Sequence, residues 1–89
     1  MNAIITVVGK DRVGIIAGIC VKLAEYNVNV LDISQTILQG SFTMVMAVDV
    51  SAANVPFAQI AEGLKVLGQE MELSIHIQRE EIFDAMHNI

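Results

Sequence analysis

Two strand–helix–strand patterns follow one another along this chain, and their order constrains its fold more than any other feature. β-Branched runs and alternating apolar residues predict four strands, whereas apolar residues three and four positions apart predict two helices. The strands are predicted over residues 2–8, 28–39, 42–50 and 72–78. The helices are predicted from Val13 to about Asn27 and from Pro56 to Gly68. The resulting order is β-α-β-β-α-β.

Right-handed crossovers applied to this order place four strands in one antiparallel sheet, with both helices on the same face. This α+β architecture is the ferredoxin-like sandwich, and it leaves the second sheet face open unless another segment covers it. Residues 80–89 follow the predicted domain, residues 1–79, as a short C-terminal helix. The apolar stripe of this tail consists of Ile82, Phe83, Met86 and Ile89. Because so short a helix is unstable alone, we expect the tail to dock on its own domain or on a neighbouring subunit.

The first predicted helix carries more apolar residues than contact with one sheet face requires. Its predicted core positions are Val13, Ile16, Ala17, Cys20, Leu23 and Ala24. A second stripe consists of Ile15, Ile19 and Tyr26. Of all residues 54% are apolar, although a domain of this size buries only about 60–65% of its unfolded surface. The surplus predicts an oligomer, with the second stripe as its interface.

Three local signals refine the predicted elements. Asp11 and Asn54 are the candidate N-caps of the two helices. The apolar residues of the second strand change parity, which predicts a β-bulge near Leu31-Asp32. Gly40-Ser41 is the predicted turn between the second and third strands.

Charge and composition exclude several classes of protein. The net charge is −5 and the chain has no Trp, one Tyr and three Phe, which argues against a nucleic-acid-binding surface. The uncharged helical stretch Val13–Val21 is far shorter than the roughly 20 residues that a membrane span needs. Residues 1–8 lack the basic start of a signal peptide, and a single cysteine, Cys20, suits a reducing compartment. We therefore expect a cytoplasmic protein without membrane contact.

Glycines and charges are concentrated in the loop Gly9–Gly14, between the first strand and the first helix. Its two glycines allow close approach of the backbone, and the first-turn N–H groups of the helix point out of its end. Such a loop can hold a small anion or an amino-acid carboxylate, or it can be a tight turn with an exposed Lys-Arg pair. It lacks the spacing of glycine-rich nucleotide loops.

The sequence contains no recognisable catalytic or metal-binding constellation. The two histidines and the lone cysteine do not have metal-ligand spacing. Asp11, Asp32 and Asp49 could perform acid–base chemistry, but no nucleophile or paired carboxylate accompanies them. We therefore predict neither an enzyme nor a cofactor.

Two short motifs, together with the order of elements, resemble the ACT domain family of small-molecule sensors in amino-acid metabolism. Asp11-Arg12-Val13-Gly14-Ile15 is similar to the family's Asp-Arg-Pro-Gly-aliphatic loop after the first strand. Asn29-Val30-Leu31-Asp32-Ile33 is similar to the family's Asn-Ile entry into the second strand. The resemblance covers residues 2–79. Val13 replaces the usual proline, which makes the loop less rigid.

The resemblance implies a non-enzymatic regulatory domain that forms a homodimer and binds a small effector, commonly an amino acid, between its subunits. ACT domains commonly pair side by side through the first helix and second strand. One wall of the implied site consists of Asp11, Arg12, Val13, Gly14 and Ile15. The opposite wall consists of Asn29 and Val30, contributed by the partner subunit. With no attached enzyme in the sequence, the implied protein acts as a free sensor or on a protein partner in trans.

Other classes of protein share this predicted fold. One is an interaction module without a ligand, which Val13 and the docking tail favour. Acylphosphatases have the same strand order, but their loop Gly-x-Val-Gln-Gly-Val-x-Phe-Arg is missing here. Copper-carrying ferredoxin-like domains need a Cys-x-x-Cys in the first loop, which is missing as well.

Overall fold

The computed structural model describes residues 1–81, which form a four-stranded antiparallel sheet and two helices. The elements are β1 (Asn2–Lys10), α1 (Ile15–Glu25), β2 (Asn29–Leu38), β3 (Ser41–Asp49), α2 (Phe57–Met71) and β4 (Leu73–Arg79). The order of strands across the sheet is β2-β3-β1-β4. The predicted ferredoxin-like βαββαβ sandwich is confirmed. Of the predicted C-terminal tail, residues 82–89 lie outside the described residues.

The core lies between the helices and one face of the sheet. Alternate residues of β1 and β3 point to this face, as the predicted alternation requires. These buried strand residues are Ala3, Ile5, Val7, Phe42, Met44, Met46 and Val48. The helices contribute Ile15, Ile19, Leu23, Ile60 and Leu64 to the same cluster. Each large side chain in it contributes about 1.5–3 kcal/mol of transfer free energy. Among residues 1–81, no helix is long and apolar enough to cross a membrane.

The face that α1 turns to the core differs from the prediction. Ile15 and Ile19, predicted as a subunit interface, are 2% and 0% exposed, whereas Val13 is fully exposed. α1 begins at Ile15, with Gly14 rather than Asp11 at the N-cap position. Its buried side chains, Ile15, Ile19 and Leu23, are four residues apart, and Ile16 and Cys20 pack partly buried beside them. The interpretation of this second stripe as an interface was therefore wrong.

Both predicted ends of α2 were also wrong. Pro56 precedes the helix as its N-cap residue, and the side-chain amide of Asn54 donates to the carbonyl oxygen of Glu25 at 2.9 Å instead. Gly68 lies inside α2, which continues to Met71. A Cβ at Gly68 would lie 2.7 Å from the carbonyl oxygen of Leu73. This glycine therefore lets α2 pack closely on β4 rather than ending the helix.

The strand β2 is an edge of the sheet with an irregular start. Its pairing with β3 shifts between Val30 and Asp32, which confirms the predicted bulge. Beyond the bulge, Ile33 and Ile37 oppose buried residues of β3 and so share the helix-side face. Both nevertheless remain 39% and 53% exposed. The helix side of β2 thus carries an uncovered apolar strip beside α1.

Candidate functional site

The loop between β1 and α1 is held against the tip of the β2–β3 hairpin. The backbone N–H of Asp11 donates to the carbonyl oxygen of Gly40 at 2.8 Å. The hairpin tip itself is a two-residue turn in which Gln39 and Gly40 have φ of 53° and 78°. This contact places the loop next to the last residues of β2.

Gly9 and Gly14 have different roles in this loop. Gly9 opposes Phe42 and Leu73 in the sheet, and a Cβ there would collide with the Leu73 side chain. The atom nearest to the position of a Cβ on Gly9 thus belongs to the neighbouring strand of the protein's own sheet. Gly14 has a φ of 92° with no atom within 4 Å of the position of a Cβ. Its left-handed backbone, rather than limited space, is what requires glycine.

The N-terminus of α1 is open. The first helical hydrogen bond runs from the N–H of Gly18 to the carbonyl oxygen of Gly14, at 2.9 Å. No side chain makes a capping hydrogen bond to the helix at Gly14. The N–H groups of the first turn therefore point out of the helix end, where the helix dipole favours a negative charge.

A cleft of about 270 Å³ lies between this helix end and β2. Its walls consist of Asp11, Arg12, Gly14, Ile15, Ile16, Ala17, Gln35, Ile37 and Phe42. The polar groups of the cleft are the N-terminus of α1, the charged side chains of Asp11 and Arg12, and the side-chain amide of Gln35. The other lining side chains are apolar. The volume lies near the lower limit of small-molecule pockets, about 300 Å³. The cleft thus combines charged and amide groups with apolar walls.

The structure places part of the predicted first wall in this cleft. Asp11, Arg12, Gly14 and Ile15 line it, but the side chain of Ile15 is buried in the core. Val13 does not line the cleft, and its side chain is fully exposed. Ile15 therefore offers mainly its backbone to a ligand.

The predicted second wall lies elsewhere in the same chain. Asn29 begins the strand that follows α1, and this 11-residue helix is about 16 Å long. Asn29 lines a separate shallow cavity together with Asn27, whereas Val30 is half-buried at the start of β2. One chain alone does not bring the two walls together.

Five residues of the cleft were not predicted as site residues: Ile16, Ala17, Gln35, Ile37 and Phe42. In the register after the bulge, Gln35 opposes Met44 and shares the face of Ile33 and Ile37. Gln35 is two residues away from each of these isoleucines in the sequence. Because side chains in a strand alternate between faces, this spacing could have predicted that Gln35 lies on the helix side of the sheet.

Two asparagines brace the far end of α1. The side-chain amide of Asn27 donates to the carbonyl oxygen of Ala52 at 2.8 Å, and Asn54 bonds the end of α1 in the same way. Asn27 also has a φ of 58°, a conformation that asparagine tolerates well. These contacts tie α1 to the loop after β3 and give Asn27 a structural role.

A carboxylate with a lowered pKa lies beside Asn29. Asp49 opposes Asn29 in the sheet, and its Oδ1 accepts hydrogen bonds from the Ser51 hydroxyl at 2.6 Å and the Ser51 N–H at 2.9 Å. These bonds, with the Met1 amino group 3.6 Å away, hold the pKa of Asp49 below its ordinary value. Asp49 therefore carries a negative charge beside Asn29 at neutral pH.

The described residues show no sign of a metal centre. Across residues 1–81, no three His, Cys, Asp or Glu side chains come close enough to hold an ion. Ser74 Oγ and His76 Nε2 lie 3.0 Å apart on β4. They face the opposite side of the sheet from the cleft, since Ile75 between them points to the core.

Comparisons with known proteins agree with this fold. A family model described as the ACT domain matches residues 2–78. A UPF0237 protein of Listeria innocua is 52% identical over 89 residues, which are 100% of both chains. A UPF0237 protein of Methanocaldococcus jannaschii is 48% identical over 88 residues, 99% of this chain and 98% of the other. Among solved structures, an ACT domain protein from Streptococcus pneumoniae has a TM-score of 0.81 at 44% identity, with 94% of each chain covered.

Proposed function

Because this chain belongs to the ACT domain family, we propose that it is a regulatory protein that binds an amino acid between the subunits of a homodimer. ACT domains are typically regulatory modules that bind small ligands. The observation that carries the proposal is the open N-terminus of α1 at the end of a cleft that is polar at one end and apolar along its walls.

The polar groups of the cleft match the two charges of an amino acid. Its carboxylate would accept hydrogen bonds from the first-turn N–H groups of α1 and from the guanidinium of Arg12. Its ammonium group would pair with Asp11, which lies on the same loop. The apolar side chain would then contact Ile37 and Phe42, which favours an aliphatic amino acid over a charged one.

The exposed side of β2 supports a dimer with two-fold symmetry. An edge strand with apolar residues such as Ile33 and Ile37 is a site for pairing with another chain. A two-fold axis beside β2 reverses the strand, so the two β2 strands run antiparallel. Asn29 of the partner subunit would then lie near Ile37 and the cleft. This arrangement reunites the two predicted walls that one chain holds apart.

A ligand that contacts both subunits links binding to assembly. It stabilises the dimer in proportion to its occupancy, and the dimer in turn raises the affinity for the ligand. In this proposal the protein acts in the cytoplasm, either as a free sensor or on a protein partner that distinguishes the liganded dimer.

The first test is the melting temperature of the protein against a panel of the twenty amino acids and common nucleotides. A ligand at about 100 times its dissociation constant adds roughly 2.7 kcal/mol, which raises the Tm of a domain of this size by 10 °C or more. We expect a selective rise with one or a few aliphatic amino acids.

A matched pair of variants tests the position of the site. Gly14→Asp puts a carboxylate at the helix end, where it competes with the ligand, whereas Gly40→Asp adds the same charge at another left-handed glycine. We expect only Gly14→Asp to abolish the rise in Tm. A rise that survives in Gly14→Asp would show that the ligand binds elsewhere.

The alternative function is an interaction module without a ligand. The observation in its favour is Val13, an apolar residue that is fully exposed at the tip of the loop where ACT domains usually have proline. An unresponsive Tm panel combined with a stable dimer would support this alternative.

A further inference from the structure

The face of the sheet opposite the helices carries few charges. Three successive rows on this face run from the pair Ile4–Ala47 to the pair Val8–Thr43. In these rows the strands β1, β3 and β4 contribute no Asp, Glu, Lys or Arg. In a sheet with one face in water, each strand alternates between apolar residues on the core face and polar or charged residues on the water face. The row of Ile4 also contains Asp32 of β2, opposite Ala47, so the uncharged part of this face is confined to β1, β3 and β4.

Burial on this face increases towards one end. Ile4 and Val8 lie on the same strand and the same face, but Ile4 is 9% exposed and Val8 is 44% exposed. Ala47 and Gln78, which oppose Ile4, are half-buried, whereas Thr43 and Ser74 beside Val8 are exposed. The cover therefore lies over the end of the sheet that contains Ile4.

The main core does not account for the burial of Ile4. The core cluster contains its sequence neighbours Ala3 and Ile5, which point towards α1 and α2. Ile4 points away from both helices and is absent from that cluster. The two helices α1 and α2 contribute their buried residues to the core on the other face, so neither covers Ile4.

We propose that residues 82–89 of the same chain pack on the Ile4 end of the open sheet face. The last residue of β4, Arg79, opposes Ala3, so the chain leaves the sheet next to Ile4. Glu80 and Glu81 already have helical backbone. The tail sequence places Ile82, Phe83, Met86 and Ile89 on one helical stripe.

The length of the tail fits the width of the sheet. Ten residues in helical conformation would extend about 15 Å, and four strands spaced by about 4.8 Å span about 14 Å. A helix that starts beside β4 can therefore cross β1 and reach β3. Its apolar stripe would cover Ile4 and Ala47, and its acidic residues would remain in water.

A double-mutant cycle in the full-length chain tests this contact. Ile4→Ser and Phe83→Ser are each expected to lower the Tm by about 5 °C or more, because each exposes the same apolar contact. The double variant should lose clearly less than the sum of the two shifts, since the contact is already lost after the first change. Purely additive shifts would overturn the proposal.

Two control substitutions show whether the coupling is local. Val8→Ser alters the same strand face at its exposed end, and Asp84→Asn alters the tail without touching its apolar stripe. The shifts of Val8→Ser and Phe83→Ser should add, and Asp84→Asn should leave the Tm within about 1–2 °C of the wild type. If a serine variant fails to fold, Ile4→Val and Phe83→Leu repeat the cycle with smaller shifts.

Sedimentation of the same variants distinguishes the occupants of the face. If the tail packs on its own chain, Phe83→Ser leaves the mass of the oligomer unchanged at micromolar concentration. A smaller oligomer would mean that the tail, or the sheet face of a second copy, covers Ile4 from a neighbouring subunit, and the proposal would be wrong.

Discussion

Gly14 and Gly40 have the same kind of backbone in two different places. Their φ values are 92° and 78°, and a Cβ on either residue would meet no atom within 4 Å. The cost of an alanine at these positions is therefore backbone strain without steric collision. Only Gly14 lines the cleft, so the pair separates strain from ligand binding.

We expect Gly14→Ala and Gly40→Ala each to lower the free energy of unfolding by about 1–2 kcal/mol, because an L-residue is strained in the left-handed region. Only Gly14→Ala should also weaken the rise in Tm caused by the ligand. Urea denaturation and the amino-acid panel measure the two effects. Unchanged stability in Gly14→Ala would mean that the loop relaxes to another backbone conformation.

The lowered pKa of Asp49 makes the stability of the protein depend on pH. The Ser51 hydroxyl and N–H stabilise the ionised carboxylate in the folded state, so the folded pKa is below the unfolded one. The resulting stability is present above the unfolded pKa, about 3.9, and is lost as the pH falls through the folded pKa.

Asp49→Asn should therefore lower the Tm at pH 7 and reduce the further loss of Tm between pH 5 and about pH 2.5. Glu62→Gln, which removes one charge from the exposed side of α2, controls for the change in net charge. Thermal melting across this pH range provides the measurement. Parallel profiles for Asp49→Asn and the wild type would contradict the assignment.

At the scale of single elements, periodicity predicted the strands better than the helices. The alternation in β3 was predicted correctly because a period of two leaves only one choice of buried face. In α1 apolar residues lie on nearly every side, so periodicity alone did not identify the buried face. The structure shows that Ile15, Ile19 and Leu23 form this face.

A glycine inside a helix illustrates the same limit. The sequence suggested that Gly68 ends α2, since glycine is common after helix ends. The structure shows instead that its missing side chain makes room for β4. Sequence alone does not distinguish the two reasons for a glycine, because the second depends on a strand that packs against the helix from outside.

Two alanine substitutions within helices test this packing. Gly68→Ala places a methyl group 2.7 Å from a backbone oxygen, and we expect it to cost about 1–3 kcal/mol. Gly18→Ala places its methyl group 3.3 Å from the flexible end of Met71. There the gain in helix propensity, about 1 kcal/mol, should balance or exceed the strain. Equal losses of stability in urea denaturation would contradict this contrast.

At the scale of the whole molecule, α1 and β2 leave one side of the sandwich incompletely covered. The sequence predicted an oligomer from its apolar surplus, but it assigned the interface to residues that are in the core. The exposed apolar residues Val21, Ile33 and Ile37 supply a different surface. Of these three residues, Ile37 also lines the cleft, so this surface borders it.

Ile37→Lys is expected to dissociate the proposed dimer and leave the fold intact, since Ile37 is 53% exposed in the single chain. Val66→Lys on α2 is the matched control, because Val66 is 43% exposed and lies outside the α1–β2 side. Sedimentation velocity at micromolar concentration gives the mass, and circular dichroism verifies the fold. A dimer that persists in Ile37→Lys would exclude β2 as the interface.

About half of the cleft could be predicted from the sequence. Asp11, Arg12 and Gly14 are neighbours in the chain, so a local motif was enough to identify them. Gln35 and Phe42 come from two strands whose register depends on the bulge and the hairpin turn. That register is decided by pairing across the sheet, which no local motif encodes.

The hydrogen bond from Asp11 to Gly40 joins two segments that are separated by the whole of α1 and β2. While it is intact, the hairpin tip and the mouth of the cleft can move only together. Its donor is a backbone amide, so its rate of hydrogen exchange reports how often the two segments separate. A ligand in the cleft should slow that exchange. The exchange rate of the Asp11 amide would then report the fractions of free and liganded protein in solution.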